Sequence, residues 1–232
     1  DTYRMLSSTT VQRRRSVSQR DFLSVRVPLP PLAEQRRIAA VLNAIQEAIA
    51  AQDDVIAAAR AFKRSLMQRL FTYGPGREPA PTKETNYGAV PAHWREFTLN
   101  DCAYVQTGTA KGRRFRSDEQ VVEVPYLRVA NVQDGFLDLA EIKEIAIRTD
   151  ELARYSLQIG DVLMTEGGDF DKLGRGYIWQ GEIPVCIHQN HVFAVRTDRN
   201  ILSPQFLAYL VQSPYGKSYF LTVAHRTTNL AS

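Results

Sequence analysis

The stretch of residues 32–71 contains no glycine and no proline, and it constrains the fold of this chain more than any other feature. Apolar residues recur along it at steps that alternate between three and four, and polar Gln52 and Lys63 fill two positions of the pattern. A heptad sustained in this way predicts a long helix that pairs with another helix. The predicted seam comprises Ile38, Leu42, Ile45, Ile49, Gln52, Ile56, Ala59, Leu66 and Leu70.

A second apolar row widens the stripe, as expected where a helix also packs on a globular domain. The row consists of Val41, Ala48, Val55 and Phe62. At roughly 1.5 Å per residue the helix is a rod of about 60 Å, too long to bury its stripe against itself. We therefore predict a partner helix, either from a later part of the same protein or from another copy. An ordinary dimerisation element is the plainer alternative, and Gln52 and Lys63 are candidates for fixing the register.

Proline and glycine mark the ends of this helix. Pro30 and Pro31 stand just ahead of it, where a missing amide donor does no harm. Gly74-Pro75-Gly76 follows and predicts its end.

The formal net charge of +4 is unevenly distributed along the 232 residues. Residues 1–30 carry six arginines against two aspartates, whereas residues 90–232 carry 15 basic against 17 acidic side chains. The larger segment is therefore not a general polycation, and any polyanion must bind to local patches. No apolar run approaches the roughly 20 residues of a membrane span. Cys102 and Cys186 lack metal-ligand spacing, which favours reduced thiols in a cytoplasmic protein.

The pattern divides the chain into four parts. We predict the end of a first domain in residues 1–30, the spacer helix in 31–73, a polar proline-rich linker in 74–89, and a second domain, incomplete at its C-terminus, in 90–232. The chain does not begin with methionine, and residues 3–10 and 219–228 are similar passages that run from an aromatic residue to Thr-Thr. Both observations suggest a fragment of a longer protein with two related domains.

Short elements are predicted on both sides of the helix. Residues 9–11 and 24–27 alternate like strands, residues 18–23 suit one helical turn, and Arg13 to Arg15 form a cluster that is either solvated or contacts phosphate. In the larger domain we predict an α+β fold with a curved sheet and helices toward its end. Its predicted strands are residues 121–124, 126–129, 142–147, 162–164, 177–179 and 192–195, and its helices are 149–155, 204–210 and 214–223.

Catalytic motifs are weak in this sequence. Glu166, Asp169 and Asp171 lack the spacing of a calcium loop, and the neighbouring glycines lack the Gly-Lys-Ser/Thr of a phosphate-binding loop. A zinc site of Cys186, His188 and His191 is a minor alternative. We expect neither a catalytic residue nor a metal site.

Four loops instead combine glycine with the side chains that bind phosphates and read base edges. They are residues 107–114, 172–176, 189–191 and 225–229. Each loop alone is more often simply solvated, but four in an otherwise acidic domain favour a DNA-binding face. Arg128 and Asn131 are further candidates, with a structural role for Arg128 as an equal alternative. The predicted DNA contacts are Lys111, Arg113, Arg114, Arg128, Asn131, Lys172, Arg175, Gln189, Asn190, His191, Arg226 and Thr227.

Several phrases resemble the DNA specificity subunits of type I restriction–modification systems. The most specific is the proline-to-helix join VPLPPLAEQRRI at residues 27–38, followed by a heptad helix that ends in KRSLMQRLF at 63–71. The second domain resembles the same family in VPAHW at 90–94, IGDVLM at 159–164, QNHVF at 189–193 and SPQFLAYL at 203–210. Together these phrases extend over nearly the whole chain.

The resemblance implies two target recognition domains, each reading half of a split double-stranded DNA site, with two antiparallel helices between them. It also implies a subunit without catalysis or cofactor of its own. Methyltransferase subunits that use S-adenosylmethionine would dock on it, and translocating restriction subunits would join that core.

Two other functions stay open at this point. One is a coiled-coil adaptor that binds only proteins. The other is a metal- or carboxylate-dependent hydrolase that uses Glu166, Asp169 and Asp171.

Overall fold

The structure, a computed structural model, describes residues 8–11, 14–167 and 173–223. It combines helices with small β-sheets, which confirms the predicted mixture of helix and strand. The chain forms two compact units, Asp1–Ala59 and Arg60–Ser232. Within the described ranges, no helix is both long and apolar enough to cross a membrane.

The first unit contains a short hairpin and one helical turn before the long helix. Strands β1 (Ser8–Val11) and β2 (Arg14–Ser16) pair antiparallel, and α1 (Gln19–Leu23) begins after the N-cap Ser18. The predicted strand at 24–27 is wrong. The Ser24 amide bonds back to carbonyls of α1, so the backbone closes a turn there instead of extending. The side chains of the arginine cluster lie outside the described part, and their phosphate contact stays a prediction.

Helix α2 (Leu32–Tyr73) confirms the predicted long helix and runs for 42 residues. It ends where Gly74 adopts φ +79° and its amide donates to the Leu70 carbonyl at 2.9 Å. A left-handed glycine is a common way to satisfy the last free carbonyls of a helix. In this helix only Met67 and Phe71 are buried, while Leu42 is 61% exposed and Ile45 53% exposed. The heptad stripe is thus available to a partner.

The last turns of α2 pack within the second unit. Phe71 contacts Trp94 and Phe206, with ring centroids 6.3 and 5.4 Å away. Lys63 lies 5.4 Å from the centre of the Tyr209 ring and donates to the Gln212 side chain at 3.1 Å. Lys63, a predicted seam position, therefore has polar and aromatic partners in its own domain.

Part of the predicted linker is structured. Strands β3 (Thr82–Thr85) and β4 (Gly88–Pro91) form an antiparallel hairpin. Tyr87 in its turn packs edge-on against Tyr215 and Tyr219, with centroids 5.8 and 5.0 Å away. The aromatic contact fixes the hairpin on the domain, which composition alone does not indicate.

A four-stranded antiparallel sheet in the second unit consists of β5 (Ala103–Thr107), β10 (Val162–Thr165), β11 (Gly176–Ile178) and β13 (Val192–Thr197). The strand order is β11-β10-β13-β5. Helices α5 (Pro204–Gln212) and α6 (Pro214–Val223) pack on this sheet through a core that includes Val162, Val195 and Leu207. Both helices agree closely with their predicted ranges.

A second sheet contains β6 (Val121–Leu127), β9 (Lys143–Arg148) and β12 (Ile187–His188) in the order β12-β6-β9, with β12 parallel to β6. The predicted strands 121–124 and 126–129 merge into one strand that ends at Leu127, because Pro125 is accommodated within the pairing of β6 with β9. The end of the second prediction is wrong, since Val129 begins the 3-10 turn Val129–Asn131. Another 3-10 turn is Thr149–Glu151, and the remaining elements are α3 (Leu99–Cys102), β7 (Val132–Gln133), β8 (Phe136–Leu137) and α4 (Leu152–Tyr155).

Candidate nucleic-acid interface

Three of the four predicted loops meet at one end of the four-stranded sheet. In the antiparallel register Phe193 pairs with Thr107, and Val192 pairs with Thr165. The C-terminal ends of β5 and β10 therefore lie beside the N-terminal end of β13. At this end residues 107–114 leave β5, residues 189–191 enter β13, and residues 173–175 enter β11. The fourth loop, with Arg226 and Thr227, lies outside the described residues, as does Lys172.

Direct backbone bonds join the first two loops. The Thr109 amide donates to the His188 carbonyl, and the Asn190 amide donates to the Thr109 carbonyl, both at 3.0 Å. Thr109 is only 3% exposed. A Cβ atom at Gly108 would lie 2.0 Å from the His188 carbonyl oxygen, so the approach requires glycine. The loop of residues 107–114 is thereby fixed against residues 188–190.

His191 is oriented by an acidic neighbour. Its Nδ1 lies 2.9 Å from Glu166 Oε2, and the Glu166 amide donates to the His191 carbonyl at 3.0 Å. The Asn190 amide nitrogen lies 3.3 Å from His191 Nε2. Gln189, Asn190 and His191 are all half-buried at the rim of the sheet. Of the predicted acidic group only Glu166 is described, since Asp169 and Asp171 fall in the undescribed segment.

Arg175 joins the same end of the sheet to a neighbouring hairpin. Its backbone exchanges bonds with Thr165, and its guanidinium donates to Gln133 Oε1 at 2.7 Å. Lys217 on α6 donates to Asp134 at 2.9 Å and to the Gly174 carbonyl at 3.1 Å. These contacts hold the described part of this loop on the domain.

The three cations of the first loop differ in their surroundings. Arg113 is half-buried and forms an ion pair with Glu151, in which Nη1 lies 2.8 Å from Oε2. Lys111 and Arg114 are exposed, and neither has an ion-pair partner among the described residues. Lys111 and Arg114 are therefore the side chains of this loop best able to meet a phosphate backbone.

Arg128 and Asn131 make structural contacts within the domain, as the alternative interpretation of the sequence predicted for Arg128. Asn131 is 3% exposed, and its side-chain amide donates to the carbonyls of Asp138 and Glu141. Arg128 donates to the Glu141 carboxylate at 3.1 Å, which holds the pKa of that carboxyl below its usual value. Both residues fasten the turn after β6 to the segment between β8 and β9, and their contact with DNA stays a prediction.

Cys186 and His188 are both buried in the second unit. Burial raises the pKa of the Cys186 thiol to about 12 and lowers the pKa of His188, whose Nδ1 lies 2.7 Å from the Val192 carbonyl. Across the described ranges, no three His, Cys, Asp or Glu side chains are grouped so that they could hold a metal ion.

Two residues that support the site were not predicted from the sequence. Glu151 holds Arg113, and Gln106, 6% exposed on β5, donates to the Arg154 carbonyl next to the same turn. Charge patterning gives no signal for such partners, because they are 38 and 48 residues away along the chain.

Curated proteins similar to this chain are named as type I restriction enzyme specificity subunits. No family model matches it. It is 27% identical over 239 residues to the type I restriction enzyme EcoBI specificity subunit of Escherichia coli, covering 97% of this chain and 49% of the relative. Two relatives come from Methanocaldococcus jannaschii. The type I restriction enzyme MjaVIII specificity subunit is 26% identical, with 87% of this chain and 47% of the relative covered. The putative type I restriction enzyme MjaX specificity subunit is 24% identical, with 65% of this chain and 35% of the relative covered. The chain thus spans at most about half the length of these curated relatives.

Two solved structures are also similar to this chain. The HsdS subunit from Thermoanaerobacter tengcongensis is 19% identical, with 94% of this chain and 50% of that chain covered and a TM-score of 0.43. A structure described as showing complex assembly and conformational transition of the type I R-M system is 20% identical, with 93% and 50% covered and a TM-score of 0.48. The resemblance found in the sequence phrases is confirmed by the curated relatives, which are type I restriction enzyme specificity subunits.

Proposed function

We propose that this chain is a DNA-specificity component of a type I restriction–modification complex and that residues 90–232 read one half of a bipartite double-stranded site. The observation that carries the proposal is the meeting of residues 107–114, 173–175 and 189–191 at one end of the sheet. Side chains that suit phosphates and base edges are there brought together from distant parts of the sequence. The names of the relatives agree with this role.

The chemistry of this end divides into two tasks. Exposed Lys111 and Arg114 suit phosphate oxygens, which position a protein on the duplex without reading it. Gln189 and Asn190 carry amides that offer a donor and an acceptor to one base, the pattern that suits adenine in the major groove. Backbone bonds from the Gln189 amide to the Leu127 carbonyl and from the Asn190 amide to the Thr109 carbonyl fix the backbone that carries these two side chains.

The exposed heptad stripe supports the architectural part of the proposal. A helix of 42 residues is about 63 Å long, which corresponds to about 18 base pairs at 3.4 Å each. Paired with a second spacer helix, in the same protein or in another copy, it would separate two recognition domains along DNA. In this proposal the sheets of residues 90–232 form a curved reading domain. Methyltransferase subunits, which carry S-adenosylmethionine, and restriction subunits would dock on the assembly in the cytoplasm.

Selection from a pool of random duplexes tests the reading function. The 232-residue chain is incubated with the pool at fixed salt, and bound duplexes are sequenced over several rounds. We expect enrichment of a short motif with fixed bases. Binding that remains strong but enriches no motif would contradict the proposal.

A protein-binding adaptor is the second candidate, and the exposure of the heptad stripe favours it. In that case the chain captures a methyltransferase subunit from solution but enriches no motif. A chain that both captures the subunit and enriches a motif excludes the adaptor.

A further inference from the structure

The half-buried Arg113 side chain has several partners within its own domain. Its Nη2 donates to Glu151 Oε1 at 3.0 Å, and its Nη1 donates to Thr109 Oγ1 at 3.3 Å. The guanidinium carbon lies 5.4 Å from the centre of the Phe115 ring. Side-chain exposure is 30% for Arg113 and 19% for Glu151. Arg113 therefore has defined partners on several sides before any DNA arrives.

Glu151 ends a 3-10 turn that holds the loop at a second place. The Thr149 amide donates to the Gln120 carbonyl at 2.9 Å, and Arg148 lies 3.4 Å from Glu119. Residues 108–120 are thus fastened to the turn Thr149–Glu151 at their middle and at their end. Their beginning is fastened to residues 188–190 through Thr109.

The cations of the loop are of two kinds: Arg113 is paired with Glu151, whereas Lys111 and Arg114 are exposed. The hydrogen bond to Arg113 holds the pKa of Glu151 below its usual value, so the carboxylate stays charged and balances Arg113. Lys111 and Arg114 on either side stay exposed. Arg113 therefore fixes where its two neighbours are presented.

We infer that Glu151, acting through Arg113, is a positioning residue: Arg113 bonds Thr109, whose carbonyl accepts from the Asn190 amide, so the pair holds residues 107–114 and the proposed base-reading residues Gln189 and Asn190 in register. The inference rests on the proposed function and deepens it. Two physical effects of removing the Glu151 charge oppose each other. Loss of a negative charge near the duplex favours binding to any sequence, whereas release of the loop lowers the preference for the selected motif.

The variants Glu151→Gln, Arg113→Gln and their combination test this inference. Asp118→Asn is the matched control, because it removes a carboxylate within the segment 108–120 whose partner, the Arg116 side chain, is 79% exposed. Two measurements are made on the 232-residue chain. Limited trypsin digestion reports cleavage after Lys111 and Arg114, and titration compares the motif enriched by the parent chain with a scrambled duplex.

We expect Glu151→Gln to speed cleavage in the loop and to lower the preference for the motif roughly tenfold, as for coupled partners in contact. The double variant is expected to be no worse than either single one, and Asp118→Asn to behave like the parent. Unchanged cleavage, or a motif preference that is kept or raised, would overturn the inference. If the parent chain selects no motif, the proposed function fails, while the digestion still decides whether Glu151 holds the loop.

Discussion

Gly108 and His188 approach so closely that a Cβ atom at position 108 would lie 2.0 Å from the His188 carbonyl oxygen. Gly108→Ala must therefore push residues 107–114 away from residues 188–190, because backbone cannot yield as a flexible side chain can. We expect the variant to stay folded and to lose most of its preference for the selected motif, measured by titration against a scrambled duplex.

Gly112→Ala is the control in the same loop. Gly112 has φ +80° but nothing lies within 4 Å of its added Cβ atom. The substitution therefore adds a modest conformational strain at a positive φ but displaces no neighbouring atom. A loss of preference equal to that of Gly108→Ala would show that general loop strain, and not the contact with His188, is responsible.

Asp161 is expected to be a main contributor to the stability of the second unit. It is 1% exposed, and its two oxygens accept bonds from Arg196 Nε and Nη2, each at 2.8 Å. Asp161→Asn leaves Arg196 without its counter-charge, and we expect it to lower the free energy of unfolding by about 3 kcal/mol. Urea denaturation followed by circular dichroism measures this. Asp118→Asn, at an exposed pair, should leave the midpoint unchanged.

The exposed seam of α2 predicts self-association when no other partner helix is present. Ile45 and Ile49 are 53% and 49% exposed, and burying such side chains is worth about 1.5–3 kcal/mol each. Ile45→Lys with Ile49→Lys should weaken association at least about 100-fold in sedimentation equilibrium. Asn43→Lys with Ala50→Lys adds the same charge off the seam. Equal effects of both pairs would contradict pairing through the seam.

The buried thiols predict an alkaline limit to stability. Burial raises the pKa of Cys186 from 9.0 to about 12 and also raises that of Cys102. A raised pKa in the folded state stabilises the fold below the unfolded value, and this contribution is lost as pH rises from 9 toward 12. We expect neither thiol to react with a thiol reagent at pH 8 unless urea is added. Rapid labelling of the folded chain would contradict the burial.

The sequence predicted elements best where one local signal decides them. The heptad of residues 32–71, with glycine after it, predicted α2 to within two residues, and Ser203 and the prolines predicted α5 and α6 closely. The strand expected at 24–27 failed because alternation of side chains does not reveal that the Ser24 amide bonds back to α1. Hairpin β3–β4 was missed since its stability depends on Tyr215 and Tyr219, far along the chain.

In the candidate site, too, local features were predictable from the sequence and long-range contacts were not. Residue types in the loops around Lys111 and Gln189 were recognisable, because phosphates and base edges need amides and cations. Their meeting depends on strand order β10-β13-β5, which no local pattern encodes. Likewise the sequence could not separate Arg113, which is paired with Glu151, from exposed Arg114 in the same basic run.

A matched pair of triple variants tests whether this end of the sheet reads DNA. One carries Arg114→Ala, Gln189→Ala and Asn190→Ala at the proposed interface. The other carries Arg199→Ala, Gln180→Ala and Asn200→Ala, which remove the same kinds of group at the opposite end of the sheet. Each is titrated with the selected motif and a scrambled duplex over a range of salt. Each triple variant loses one cation, so a difference in motif preference between them is due to the position of the removed side chains and not to the change in net charge.

We expect that only the first variant loses its preference for the motif, by roughly 30-fold or more because two amide contacts to bases are removed. The second variant should keep the preference of the parent chain. Equal preference in both variants and the parent would contradict a DNA-reading surface at this end of the sheet.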